Sequence, residues 1–159
     1  MFNDDVPPLD RIFTGPHMGF LVLSRALVRV VVPTVPYIVI SITDPENDEA
    51  EIAPSPLQKG VLRLRFHDTQ EIDNPALQYF SLSPDRRLSD AEARKILAFV
   101  RKHQPQIQLI VCHCEAGVSR SAAVAAALSR ILQDEDDYFF EHYMPNTHVY
   151  KRLLKAAGL

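Results

Sequence analysis

The chain has 159 residues, 47% of them hydrophobic and 23% charged, with a formal charge of −3. That length suits one domain with a real core, the balance is that of an ordinary globular protein, and the charge implies no strongly basic face for nucleic acid. Two cysteines do not make a disulfide scaffold, so a cytoplasmic monomer is expected.

The opening MFNDDVPPLD is acidic and Pro-rich, unlike a secretory signal. Residues 1–16 are expected to form a loose arm ahead of a single domain over 17–159. The apolar stretch 20–42 carries Arg25, Arg29, Pro33 and Pro36. It therefore reads as a strand, then a helix, then a further strand, and no membrane contact is expected. Residues 37–42, YIVISI, are β-branched and bounded by Pro36 and Asp44-Pro45, which predicts a buried strand. The acid runs 44–51 and 134–137 read as solvated loops. Residues 61–66, VLRLRF, alternate, with Val61, Arg63 and Arg65 on one face and Leu62, Leu64 and Phe66 on the other.

A polar loop, HDTQEIDNP, follows from His67 to Pro75. Ser89-Asp90-Ala91-Glu92 is a capping box. The helix behind it is expected to reach about His103, with Ala91, Ile96, Leu97 and Val100 facing the core, and to stop before Pro105. Residues 108–113 read as a strand, the alanine-rich stretch 120–133 as a helix, and 147–157 as a last helix capped by Asn146. Such alternation predicts an α/β domain with a mostly parallel, twisted sheet of four to five strands flanked by helices. Sites in such folds lie beyond the C-terminal strand ends. Two loops qualify, 67–75 and 113–119.

The second loop begins in VCHCEAGVSRS, residues 111–121, which holds both cysteines. A metal clip, a redox pair and a single reactive thiol are the competing explanations. His113 lies on the opposite strand face from Cys112 and Cys114, so the three do not converge on a metal. Cys112 shares a face with Ile110 and reads as a small buried hydrophobe. Its alternative is a protective disulfide with Cys114, which requires backbone movement.

Cys114 stands between a strand and the start of a helix. Gly117 permits a sharp turn, and the amides of Glu115, Ala116, Gly117, Val118 and Ser119 can form a nest for an oxyanion. Arg120 can grip two of its oxygens. The same field favours a thiolate at Cys114, placed to displace a phosphoryl group, and Ser121 can donate to that sulfur when it leaves. A general acid is still needed. Asp68 is preferred over Glu71 and Asp73 because it lies closest to a strand end. His113 reads as a structural support for the loop, His67 as an exposed loop residue, and His142 and His148 as surface residues. Tyr79, Phe80, Tyr138, Phe139 and Phe140 read as packing residues.

The run His113-Cys114-Glu115-Ala116-Gly117-Val118-Ser119-Arg120-Ser121 resembles the H-C-x-x-G-x-x-R-S signature of the cysteine-based protein tyrosine phosphatases. His67-Asp68-Thr69-Gln70-Glu71-Ile72 resembles the acid loop of their dual-specificity branch. The resemblance spans residues 37 to about 154. It implies a protein tyrosine phosphatase-like fold and a metal- and cofactor-independent phosphatase acting on phosphorylated proteins. It also implies Cys114 as nucleophile, Arg120 as phosphate ligand, Asp68 as general acid and Ser121 as aid to thiolate departure. Glu115 departs from several relatives. Its charge at the mouth argues against highly anionic substrates such as phosphoinositides. Two alternatives stand beside this reading: a phosphatase of a lipid, nucleotide or sugar phosphate, and a slow module that captures a phosphorylated partner.

Overall fold

Each predicted strand forms. The computed structural model describes residues 17–69 and 86–159. The expected arm, Glu71, Asp73, Tyr79 and Phe80 lie outside the described residues. The strands are β1 (Gly19–Ser24), β2 (Tyr37–Thr43), β3 (Gln58–Arg65) and β4 (Leu109–Cys114). They pair in the order β1-β4-β2-β3, every pair parallel. β2 and β4 are buried at every position, as central strands covered on both faces must be. β3 is an edge strand and starts three residues earlier than its alternation suggested. Leu64 and Phe66 enter the core while Arg63 and Arg65 stay on the opposite face. There the two arginines donate to the carbonyls of Ala50 (3.0 Å) and Pro45 (3.3 Å) and so hold the loop after β2.

α1 (Arg25–Val28) is a single turn capped by Ser24, shorter than the apolar run implied. α2 (Asp90–His103) has the expected capping box. Its inner face is Ala93, Ile96, Leu97 and Val100, the i, i+3, i+4, i+7 stripe. Ala91 is exposed, which corrects its expected place in the core: the alanine on the stripe is Ala93, two positions on. α3 (Arg120–Gln133) is buried continuously from Arg120 to Ser129. It touches β4, β1, β2, α4 and α5, and its alanines let all of them approach closely.

The acid run after α3 is not only a loop. Asp134 takes a left-handed conformation (φ 58°) that ends α3, and α4 (Asp137–His142) follows. α5 (Thr147–Ala156) is capped by Asn146. His148 on α5 is buried, with its Nε2 3.3 Å from the Leu88 carbonyl, so its reading as a surface residue is corrected. Two apolar clusters lie on the two sheet faces. The larger gathers α2, α3 and α5, and the smaller gathers α1 and the loop after β2. Because all four strands run one way, their C-terminal ends meet along one edge. Among the described residues no helix is long and apolar enough to cross a membrane.

Candidate active site

Cys114 is the last residue of β4, not the first of the loop, and is buried. Its sulfur lies 3.1 Å from Ser121 Oγ, and the Gly117 amide donates to it at 3.3 Å. Gly117 has φ 72°, and a Cβ there would stand 2.5 Å from the Ser24 amide nitrogen. Only glycine satisfies both the positive φ and the contact with the end of β1. Glu115 also joins that strand end, its carbonyl accepting from the Arg25 amide (3.2 Å). Ala116 and Val118 stand at the surface.

Arg120 opens α3 and is buried. Its Nη1 donates to Asp44 Oδ1 (2.6 Å) and to the Phe66 carbonyl (2.7 Å). Asp44 follows β2 and Phe66 follows β3, so two strand ends fix the guanidinium. Among the described residues its buried Nε–H has no partner. Buried donors are nearly always satisfied, so this one marks the place of an acceptor. The reading of 44–51 as a solvated run is therefore corrected at Asp44. Asp44 lies directly beyond the end of β2, the same signal in the sequence that singles out Asp68 beyond β3.

Glu115 turns sideways out of the loop. Its Oε1 accepts from Arg25 Nη1 (3.3 Å), Asn47 Nδ2 (3.0 Å) and the Asp44 amide (3.4 Å). Partial burial works to raise its pKa, but the bonds from Asn47 and Asp44 and the Arg25 charge outweigh it and hold the carboxyl below its ordinary range. The acid at the mouth is thus neutralised by Arg25 and serves to tie the loop to β1 and β2.

His113 is fully buried, beside Ser41 in register on β2. Its Nδ1 lies 3.3 Å from the Cys114 carbonyl, and its Nε2 meets the Ser41 hydroxyl. A carbonyl only accepts, so Nδ1 carries the proton and Nε2 accepts from Ser41. Burial pushes the His113 pKa down to about 4 against the opposing pull of the Cys114 carbonyl and Glu115, which keeps the ring neutral. Cys112 faces the α3 side, wholly buried and unpaired in any disulfide. Burial first, and Cys114 next, push its thiol pKa far up.

Asp68 reaches the other end of the loop. Its Oδ1 accepts from Ser119 Oγ (2.7 Å) and Asn146 Nδ2 (2.8 Å). Ser119 is the N-cap residue of α3 but makes no side-chain cap bond, so its hydroxyl is free for Asp68. His67, beside it, accepts from the Arg86 amide at Nδ1 (2.9 Å) and pairs with Glu46 (3.0 Å). The structure thus brings Cys114, Ser121, Arg120, Ser119 and Asp68 to one edge. It adds Asp44 and Asn146, which the sequence reading left as a loop acid and a helix cap.

No protein-family model and no curated protein matches the sequence. Solved structures do match in fold. A human tyrosine phosphatase-like serine/threonine/tyrosine-interacting protein superposes with TM-score 0.54 at 16% identity, over 87% of this chain and 91% of its own. PTPMT1 in complex with PI(5)P gives 0.55 at 17%, over 98% and 96%. A mouse putative dual specificity phosphatase complexed with zinc tungstate gives 0.50 at 17%, over 87% and 82%. The chain therefore has the fold of the cysteine-based protein tyrosine phosphatases of the dual-specificity type.

Proposed function

We propose that the chain is a phosphatase that hydrolyses phosphotyrosine in proteins, alone or together with phosphoserine and phosphothreonine, through a phosphocysteine intermediate. The observation that carries this reading is the Arg120 Nε–H, buried without a partner among the described residues, in the same loop whose Gly117 amide is aimed at Cys114. A phosphoryl oxygen is the acceptor that such a donor lacks.

In the first step the Cys114 thiolate attacks phosphorus. The S–P bond forms, the P–O bond to the leaving group breaks, and Asp68 gives its proton to the departing oxygen. In the second step water attacks phosphorus, the Asp68 carboxylate takes a proton from it, and the S–P bond breaks. Ser121 Oγ then donates to the departing thiolate. Inorganic phosphate leaves, and Asp68 is again protonated.

Three observations favour alternative readings. Glu115 is paired with Arg25, so its charge no longer argues against anionic substrates such as phosphoinositides, and one fold neighbour was solved with PI(5)P. Another neighbour is described as phosphatase-like, which fits a module that binds without turnover. The test is hydrolysis, with a chelator present, of a phosphotyrosine peptide, a phosphothreonine peptide and a soluble phosphoinositide. Highest kcat/KM on the phosphotyrosine peptide supports the proposal. Highest kcat/KM on the phosphoinositide replaces it with the lipid reading, and binding without turnover replaces it with the capture module.

A further inference from the structure

Asn146 caps α5, yet it spends more hydrogen bonds elsewhere than a cap requires. Its Oδ1 accepts from the Val149 amide (3.1 Å), which is the cap itself. Its backbone carbonyl accepts from the Tyr150 amide (3.0 Å) and its own amide donates to the Ser119 carbonyl (3.1 Å). Its two Nδ2 hydrogens go to Asp68 Oδ1 (2.8 Å) and to the Thr69 carbonyl (3.2 Å). The residue is fully buried, and all its polar groups are used. The cap also fixes which way the amide faces, because a flip would set NH2 against the Val149 N–H.

Asp68 Oδ1 takes a second donor, the Ser119 hydroxyl at 2.7 Å. An oxygen already facing two donors has no room for a proton of its own. The acid's proton is therefore confined to Oδ2. The Asn146 amide and the Ser119 hydroxyl also bind Asp68 to two elements that already hold the loop, α5 and the first turn of α3.

We infer that Asn146, with Ser119, is a positioning residue for Asp68: it holds Oδ1, leaves Oδ2 as the proton-bearing atom, and locks the acid segment to the phosphate loop. This rests on the reading of Asp68 as general acid. The role is exerted through Asp68, so in kcat/KM, which reads the steps up to departure of the leaving group, it appears where that group needs a proton and vanishes where it does not.

The test compares kcat/KM for p-nitrophenyl phosphate, whose leaving group is good, with phenyl phosphate, whose leaving group is poor. Asn146→Ser retains a capping oxygen but loses both Nδ2 donors. General acids contribute about 10²–10⁴-fold, so a misplaced one is expected to cost about tenfold or more on phenyl phosphate beyond any loss on p-nitrophenyl phosphate. Ser119→Ala, which removes no cap bond, is expected to show the same selectivity more weakly. In an Asp68→Asn background, Asn146→Ser should add no further selectivity. Equal losses on both substrates, or selectivity that persists without Asp68, would overturn the inference. If Asn146→Ser fails to fold, the selectivity of Ser119→Ala decides. If Asp68→Asn itself leaves the leaving-group dependence unchanged, the role of Asp68 fails first, which separates that failure from this one.

Discussion

The 114–120 loop is anchored at its start by charge and at its end by neutral groups. At the start, Glu115 gathers Arg25, Asn47 and the Asp44 amide. At the end, Ser119 and Asn146 offer a hydroxyl and an amide to Asp68. A charged anchor suits the start, where the proposed cycle leaves the charge of Glu115 unchanged. At the end the partner must pass between carboxylic acid and carboxylate. Neutral donors on Oδ1 serve both states, whereas a cation there would bind one far more tightly than the other.

The first way to break this comparison is at the two residues that flank the anchors. Cys114→Ser should lower kcat on an aryl phosphate by about 10⁴-fold or more, and Arg120→Lys by about 10²–10³-fold because the planar fork is lost. Steady-state kinetics reads both, and full activity in Cys114→Ser would remove the nucleophile from the scheme. Gly117→Ala acts on both anchors at once. Its Cβ would collide with the backbone at Ser24 and its φ of 72° is disfavoured, so a loss of about 2–4 kcal/mol in urea unfolding is expected. An unchanged midpoint would mean that the loop does not rest on the end of β1.

His113 sharpens the comparison from below the loop. The unfolded chain protonates it near its ordinary 6.5, while the fold resists until about 4. The unfolded state then binds the extra proton between these values, so stability is full above about pH 6.5 and falls as pH drops towards 4. The fall is about 3 kcal/mol, and His113→Asn should flatten that slope. Glu115→Gln is the smallest change. It should cost about 1 kcal/mol at neutral pH, with little effect on kcat. The difference should disappear in acid: a depressed carboxyl stabilises above its unfolded pKa and loses that contribution as pH falls through its folded one. A large kcat loss in Glu115→Gln would show that the charged anchor also touches the chemistry.

Much of this molecule can be read along the chain because much of it is local. The β4-loop-α3 unit, with Cys114, Gly117, Arg120 and Ser121, is a continuous segment. Strand alternation, a capping box and an alanine-rich helix are likewise patterns of neighbours. The errors have local causes too: Ala91 in place of Ala93, β3 begun late, and α4 missed where it starts at the last residue of an acid run. His148 was misplaced because it carries no sign of which neighbour will cover it.

The sequence by itself determined which chemical groups the loop carries and in what order, since bonded neighbours need no tertiary contact to stand together. Only the tertiary structure decided what holds them. Asp44, Phe66, Asp68 and Asn146 reach the loop from elements far away in sequence, brought to one edge by four parallel strands. No periodicity records such meetings. A carboxylate after a strand looks solvated until a buried guanidinium is packed against it, and a helix-capping asparagine looks complete until its two amide hydrogens find an acid loop.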